Sequence, residues 1–242
     1  MRAIQSHGKD HPPSDKPLIK CRIVLIDIEE LHGHEQVVES QVNYLKTNLQ
    51  QLGYFFRPIL VVKKHNVVLD GHHRIQALKE LGGVRIPCIE IPYLKNEDIR
   101  LATWFPIYTG QSGKFPGELN TLKIESRPVI SLDSKFFSNP EYGFTLFAKN
   151  GQWLLKGSQK SLYNLFLEYY DPEKFEYVKT PSYAINSVNN GYSSFTLLRK
   201  TLTKQDVLKT AVSGKVFAPK TTRHILTFRY QDIKVPLENL FN

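Results

Sequence analysis

The segment at positions 69–74, Leu-Asp-Gly-His-His-Arg, carries the residue types of a phosphate-binding site. It follows an apolar run of strand composition, and helical spacing begins directly after it, so Gly71 occupies a sharp turn from strand to helix. Such a turn often requires a positive φ, which glycine adopts without strain. The first N–H groups of the helix then point outward and, with the helix dipole, favour an anion. The segment therefore predicts an anion site.

Side chains within this segment extend the same chemistry. Arg74 offers a planar guanidinium that suits bidentate contact with phosphate, and Asp70 is placed to hold a divalent cation that bridges phosphate oxygens. His72 and His73 are helical neighbours that point about 100° apart, so one is expected to contact phosphate while the other packs. An ordinary helix start with Asp70 as the N-cap residue is the alternative, and these residues alone leave both interpretations open.

Two other patterns could contribute chemistry. Glu35 lies in the turn after the first apolar strand, where a carboxylate can accept a proton from a hydroxyl nucleophile; alternatively it is an exposed first-turn residue favoured by the helix dipole. Near the C-terminus, residues 220–224 place two hydroxyls, two cations and a histidine directly after Pro219. A solvated charged loop is the alternative for this second pattern.

The elements that must position these residues are read from apolar periodicity and from glycine and proline breaks. Predicted strands span 21–28, 57–62, 66–69, 84–91, 144–148, 153–156 and 194–198, and predicted helices span 36–52, 73–81, 161–170 and 204–213. Residues from about 20 to 95 therefore form a compact α+β unit. Beyond residue 100 aromatic residues become frequent, and clustered glycines and prolines favour a boundary near 105–120.

Composition narrows the classes of protein. The 242 residues include 41% hydrophobic and 23% charged residues, which excludes wholesale disorder, and the net charge of +9 favours a polyanionic partner. Two cysteines exclude a disulfide framework. No apolar run approaches the roughly 20 residues of a membrane span. Residues 1–19 carry three prolines and no apolar core, so they predict a flexible arm rather than a signal peptide. We therefore expect a cytoplasmic protein.

Together these segments resemble the free L-serine kinases, whose N-terminal lobe has a ParB/sulfiredoxin-like fold. The resembling segments follow the family order over nearly the whole chain: HEQVV at 34–38, LDGHHRIQALKELG at 69–82, ATWFP at 102–106 and VFAPKTTRHILTF at 216–228. The resemblance implies an α+β protein with a ParB/sulfiredoxin-like nucleotide-binding domain at 20–107. A larger mixed α/β C-terminal lobe at 108–242 would close an active site in the cleft between the two.

The resemblance also implies roles for the candidate residues. Glu35 would be the catalytic carboxylate, and Asp70 would hold Mg²⁺. The nucleotide phosphates would be bound by Gly71, His72, His73, Arg74 and Lys220. The substrate-binding residues would be Trp104, which lines the serine site, then Thr222, Arg223 and His224 from the second lobe, and Asn48, where the residue type departs from the family pattern.

The implied reaction is phosphorylation of the hydroxyl of free L-serine by an adenine nucleotide with Mg²⁺, with ATP favoured slightly over ADP. The product, O-phospho-L-serine, would feed cysteine biosynthesis. The expected binding partners are then small molecules, L-serine and an adenine nucleotide, and neither nucleic acid nor a membrane is expected. A monomeric protein is compatible with this function. A ParB-like nucleotide-dependent DNA-binding protein is the alternative, because of the basic charge. It usually needs a helix-turn-helix after the nucleotide lobe, and residues 101–160 show no such helical pair.

Overall fold

The computed structural model describes residues 16–130 and 141–241 of the chain. Helices α1 to α6 span Glu39–Leu52, His72–Glu80, Gly117–Thr121, Gln159–Tyr169, Pro181–Asn189 and Lys204–Val212. Strands β1 to β16 span Leu18–Ile19, Val24–Asp27, Tyr54–Phe55, Ile59–Val62, Val67–Asp70, Arg85–Ile91, Ile99–Ala102, Phe105–Tyr108, Ser126–Pro128, Tyr142–Ala148, Gly151–Lys156, Phe175–Val178, Phe195–Leu198, Arg223–Leu226, Arg229–Tyr230 and Val235–Pro236. The predicted α+β class is confirmed.

Two compact units make up this part of the chain, and each combines separate stretches of sequence. The first unit contains residues 16–31, 39–100 and 224–241, and the second contains 32–38, 101–130 and 141–223. The predicted division at 107/108 differs from this arrangement. The C-terminal stretch belongs to the first unit because β15 pairs with β1 and β16 pairs with β3. Pairing between segments so distant in sequence leaves no trace in local periodicity.

The first unit is built on a four-stranded sheet in the order β2-β6-β4-β5. Strand β4 runs parallel to β6, while the β2–β6 and β4–β5 pairs are antiparallel. The central strand β4 is buried on both faces, since every residue of Ile59–Val62 is buried, and helices α1 and α2 pack together. The sheet therefore holds the end of β5 and the start of α2 on a rigid support.

The predicted flexible arm, residues 1–19, lies outside the described residues as far as position 15. Its last residues are ordered by backbone pairing, because β1 runs parallel to β15 and the amide of Arg229 donates to the carbonyl of Pro17 over 2.8 Å. The prediction of a flexible arm is therefore wrong for residues 16–19, which belong to the first unit.

A six-stranded antiparallel sheet forms the second unit, in the order β12-β8-β13-β10-β11-β9. The aromatic residues that become frequent after position 100 pack on it. The ring of Tyr108 lies 5.1 Å from that of Phe195 and 5.0 Å from that of Phe175, and Phe166 is fully buried beside them. Aromatic packing therefore supplies the core where helical periodicity is weak.

No helix among the described residues combines the length and the apolar character needed to cross a membrane.

Candidate active site

The turn between β5 and α2 has the geometry predicted for it. Gly71 is the N-cap residue of α2 with a φ of 112°, and no side chain caps the helix there. A Cβ at this position would overlap the Cγ2 atom of Ile59, which is fully buried. The prediction of a positive φ is confirmed, and the alternative in which Asp70 caps the helix is wrong. The N–H groups at this helix start favour an anionic ligand.

Replacement of Gly71 by alanine is expected to destabilise the protein by about 1–3 kcal/mol, because a non-glycine residue at positive φ is strained and the added methyl group meets Ile59. Gly82→Ala is the matched control, since Gly82 also has a positive φ (91°) but a Cβ there meets open space. Urea unfolding of both variants separates backbone strain from steric overlap. Equal losses in the two variants would show that the contact with Ile59 is unimportant.

Asp70 is held by a salt bridge from within its own segment. Nη2 of Arg74 donates to Oδ2 of Asp70 over 2.7 Å, while Nη1 donates to the carbonyls of Arg57 and Pro58 over 2.8 and 2.7 Å. The carboxylate is 47% exposed and the guanidinium 12%. Arg74 therefore braces Asp70 against the start of β4, a role absent from the sequence prediction. Its predicted contact with phosphate stays a prediction.

Two further residues near Asp70 had no signal in the local sequence. Nε of Arg57 donates to the hydroxyl of Tyr230 over 3.2 Å, and that hydroxyl lies 3.5 Å from Oδ2 of Asp70. Burial acts to raise the pKa of Asp70, but the charges of Arg74, Arg57 and His224 together lower it below its ordinary value. The carboxylate is therefore ionised at neutral pH, beside the open end of α2.

The groups around Asp70 can be compared with those that usually coordinate Mg²⁺ in proteins. The described residues contain no group of three or more His, Cys, Asp or Glu side chains that could form a metal site by itself. Within the same part of the chain, both hydrogen bonds to Asp70 reach Oδ2, so Oδ1 is available. Mg²⁺ usually takes one or two carboxylates together with substrate phosphates and water. Asp70 thus fits a Mg²⁺ ion that binds together with a phosphorylated ligand.

His224 also lies in the first unit. Its Nε2 atom is 2.7 Å from the hydroxyl of Tyr93, and the two rings are 5.4 Å apart. Burial raises the pKa of Tyr93, so this hydroxyl stays protonated. The family resemblance predicts that His224 comes from the second lobe with Thr222 and Arg223, whereas the structure places it in the first unit, one residue past the boundary between the units.

In the second unit, backbone pairing holds the segment that carries Glu35. The amide of Phe217 donates to the carbonyl of His34 over 2.8 Å, and the amide of Gln36 donates to the carbonyl of Phe217 over 3.1 Å. Glu35 and Phe217 thereby form a parallel bridge. The helix predicted from residue 36 begins instead at Glu39, because this pairing keeps the preceding residues extended.

The carboxylate of Glu35 is buried and hydrogen-bonded. Its Oε1 atom accepts from the amide of Thr222 and from the hydroxyl of the same residue, the latter over 2.5 Å. Nε2 of the fully buried His34 lies 2.9 Å from that hydroxyl. The Glu35 side chain is 11% exposed, and it precedes the helix, so the alternative of an exposed first-turn residue is wrong.

Electrostatics make this carboxylate a suitable proton acceptor. Burial raises the pKa of Glu35 above its ordinary value, although the hydrogen bonds from Thr222 and the charges of Arg199 and Lys220 oppose the increase. A carboxylate with a raised pKa accepts a proton near neutral pH more effectively than an ordinary one. The segment 34–36 therefore carries a group with the properties of a general base.

Other residues predicted to bind substrate lie in the same unit as this carboxylate. Thr222 contacts Glu35 directly, and the guanidinium of Arg223 lies 5.1 Å from the ring centre of Trp104. The hydroxyl of Thr103 donates to the carbonyl of Thr221 over 2.5 Å, which ties the two loops together. The carboxylate therefore contacts one predicted substrate residue directly, and the cation and the aromatic side chain of the predicted serine site pair with each other in the same unit.

The predicted site residues fall into two groups. In the first unit are Asp70, Gly71, His72, His73, Arg74 and His224, and Asn48 lies half-buried on α1 of that unit. In the second unit are Glu35, Trp104, Lys220, Thr222 and Arg223. One group offers an ionised carboxylate beside the start of helix α2, and the other offers a largely buried carboxylate with a raised pKa. Arg199, a buried cation in the second unit, was missed by the sequence prediction.

Comparison with known proteins gives the family. No protein-family model matches the chain. The chain is 30% identical over 241 residues to the ADP-dependent L-serine kinase SerK of Thermococcus kodakarensis, with 95% of this chain and 98% of the relative covered. It is 32% identical over 248 residues to the ATP-dependent L-serine kinase of Staphylothermus marinus, with 95% of each covered.

A solved structure agrees with these relatives. The structure of a free serine kinase, a glutamate-to-alanine mutant in complex with ADP, matches with a TM-score of 0.83 at 28% identity and covers 95% of this chain and 98% of that one. The likeness therefore extends over nearly the full length in sequence and in fold. The chain belongs to the L-serine kinase family, a family of phosphotransferases with an alcohol acceptor.

Proposed function

We propose that this protein transfers the terminal phosphoryl group of an adenine nucleotide to the hydroxyl of free L-serine, and so forms O-phospho-L-serine. The observation that carries this proposal is the buried carboxylate of Glu35, held by Thr222 in the unit that also contains Arg223 and Trp104. The names of the relatives from Thermococcus and Staphylothermus support the same substrate.

In the proposed reaction the serine oxygen attacks the terminal phosphorus, and the bond between that phosphorus and its bridging oxygen breaks. Glu35 accepts the proton of the serine hydroxyl, and the nucleotide leaves as ADP from ATP or as AMP from ADP. Such transfers need positioning and positive charge more than covalent participation by the protein. Thr222 fixes the carboxylate that receives the proton, because both of its donors reach Oε1 of Glu35.

The phosphates of the nucleotide are proposed to bind in the first unit, at the open N-terminus of α2. The backbone at Gly71 and the side chains of His72 and His73 would contact them. Asp70 would hold Mg²⁺, which neutralises phosphate charge when it is bound. Arg74 keeps Asp70 ionised and oriented through their 2.7 Å contact.

Recognition of serine is assigned to side chains of the predicted substrate set. Arg223 suits the serine carboxylate, since a guanidinium binds carboxylates in a bidentate manner, and Trp104 would shield the site from water. Lys220 and His224 would contact the transferring phosphoryl group, and Asn48 would contact serine. Each of these roles can be tested by a single substitution, with the KM for serine and the KM for the nucleotide measured separately.

The donor nucleotide is proposed to be ATP, although one relative is named ADP-dependent and another ATP-dependent. The product would supply phosphoserine to cysteine biosynthesis. The cytoplasmic location inferred from the sequence stays a prediction.

The direct test is incubation with L-serine, Mg²⁺ and either ATP or ADP, followed by detection of O-phosphoserine by mass spectrometry. Reactions without serine control for nucleotide hydrolysis, and reactions with D-serine test recognition of the α-carbon substituents. Product with L-serine is expected, with faster turnover from ATP. Absence of phosphoserine with both nucleotides would contradict the proposed function.

The DNA-binding alternative finds little support. Between residues 101 and 160, the described positions form strands and the single five-residue helix α3 before α4 begins at Gln159. A helix-turn-helix needs two helices of useful length. An electrophoretic mobility shift at moderate salt, with and without nucleotide, is expected to show no specific complex.

As the pH is lowered, serine kinase activity is expected to fall at a pH above 4.5, the ordinary pKa of glutamate. Glu35 must be ionised to accept a proton, and burial raises its pKa. A raised pKa means that the folded protein binds this proton more readily than the unfolded chain, so protonation of Glu35 stabilises the fold as the pH falls. Asp70 has a lowered pKa, and the stability it contributes is lost only below 3.8.

Activity should therefore fall in a pH range where the fold is intact. The measurement is kcat/KM for serine against pH, with circular dichroism at each pH as the control. A limb at or below the ordinary glutamate value, or unfolding that coincides with the loss of activity, would argue against Glu35 as the base.

A further inference from the structure

Arg199 is a buried cation to which the proposed reaction assigns no role. It directly follows strand β13 and is 3% exposed. Arginine is almost never buried to this degree unless its charge and its donors are satisfied, because desolvation of the guanidinium is expensive. Its surroundings in the second unit therefore indicate what the residue is for.

The guanidinium connects two loops of that unit. Nε and Nη2 donate to the carbonyl of Trp104 over 3.0 and 2.7 Å. Nη2 also donates to the carbonyl of Lys220 over 2.5 Å, and Nη1 donates to Oγ1 of Thr221 over 3.0 Å. One planar group thus fixes the backbone on both sides of the predicted serine site.

The loop held in this way has a strained conformation. Lys220 has a φ of 56°, in the left-handed region that non-glycine residues adopt only when surrounding contacts enforce it. The next residues are Thr221, whose hydroxyl donates to the carbonyl of Ala218 over 2.7 Å, and Thr222, which donates twice to Glu35. The clamp from Arg199 therefore ends one residue before the contact that orients Glu35.

The charge of Arg199 also bears on Glu35. Among the described residues, its hydrogen bonds reach neutral oxygen atoms, and burial lowers the pKa of Arg199 to about 10 while the charge of Glu35 opposes that decrease. The other titratable groups that face Glu35 are Lys220, His34 and Tyr177.

We propose that Arg199 is a positioning residue of the serine kinase reaction: it clamps the Trp104 and Lys220 carbonyls and thereby sets the position of Thr222 against Glu35. This inference rests on the proposed function. Arg199 lies outside every segment that resembles the family. The inference gives this residue, at the end of β13, a part in positioning the groups that act on serine.

Two substitutions separate geometry from charge. Arg199→Gln removes the cation and most of the donors, whereas Arg199→Lys keeps the charge but cannot reproduce the planar set of contacts. Thr196→Val is the matched control, since Thr196 is fully buried in β13, the strand that Arg199 follows, and its hydroxyl donates to the carbonyl of Pro106 rather than to the carbonyls that Arg199 holds.

The first measurement is the pKa of Glu35 by ¹³C NMR of protein labelled at the glutamate carboxyl carbon, with the signal assigned from Glu35→Gln. Arg199→Gln is expected to raise this pKa most, because it removes both the cation and the clamp that holds Thr222 against Glu35. Arg199→Lys is expected to raise it less, since only the clamp is lost, and Thr196→Val should leave it near the value of the unmodified protein. This readout needs no turnover, so it tests the inference even if L-serine proves not to be the substrate.

The second measurement is steady-state kinetics. Arg199→Gln is expected to lower kcat/KM for serine about 100-fold, since displacement of catalytic groups by about 1 Å has effects of that size, and Arg199→Lys about 10-fold. The KM for nucleotide should stay within about twofold in both. Arg199→Gln with a reduced Tm but an unchanged Glu35 pKa and an unchanged kcat/KM for serine, as expected for Thr196→Val, would overturn the proposal. If Arg199→Gln does not fold, an Arg199→Lys variant with unimpaired serine kinetics would do so.

Discussion

Replacement of Glu35 by glutamine is expected to lower the rate of serine phosphorylation by about 10²–10⁴-fold, the contribution typical of a positioned general base. The amide has nearly the same shape, and its carbonyl oxygen can still accept from the amide and hydroxyl of Thr222. It cannot accept the proton of the substrate hydroxyl. The loss should therefore appear in the chemical step, measured as single-turnover formation of O-phosphoserine.

Two comparisons make this result specific. Glu39→Gln changes an exposed glutamate at the start of α1 and should leave activity unchanged. Nucleotide affinity, measured by calorimetry, should be similar in Glu35→Gln and the unmodified protein, because the proposed phosphate contacts lie at Gly71, His72 and His73 and the proposed metal ligand is Asp70. A Glu35→Gln protein that keeps most of its activity would show that another group takes the proton.

Replacement of Asp70 by asparagine is expected to lower activity about 10²–10³-fold, since loss of a charged ligand removes several kcal/mol of metal-dependent charge stabilisation. The neutral amide can still accept a hydrogen bond from Arg74, so the turn should keep its conformation. The measurement is kcat/KM as a function of Mg²⁺ concentration. The midpoint should move to much higher concentration in Asp70→Asn.

The control for this variant is Asp27→Asn, at the exposed end of β2. A Tm within a few degrees of the unmodified protein would show that the loss does not come from unfolding. An unchanged Mg²⁺ midpoint in Asp70→Asn would contradict the assignment of Asp70 as a metal ligand and leave it a role in orienting Arg74.

The features best predicted from the sequence are those determined within a few neighbouring residues. The turn at Gly71 follows from a buried apolar strand, a glycine and a helical pattern that are adjacent in the chain. Helix α5 could also have been found from its local signals, because Thr180 caps it and Pro181 opens it. Their physical causes are local, so the sequence displays them directly.

The remaining features depend on distant partners. Residues 36–38 continue the helical pattern of α1, yet pairing with Phe217 overrides it. In the sequence, Arg199 is a charged residue at the end of a predicted strand. Its burial against the carbonyls of Trp104 and Lys220 depends on the tertiary fold. The position of His224 in the first unit likewise follows from the return of the C-terminal strands. None of these contacts has a short-range signature.

That return of the chain also has a consequence for synthesis. Strands β1 and β3 are translated long before their partners β15 and β16. The loops that must close are long, and their closure entropy is unfavourable until residues 229–236 have left the ribosome. The edges of β1 and β3 therefore stay unpaired while the second unit is being synthesised. Co-translational folding cannot complete the first unit before the second unit has been translated.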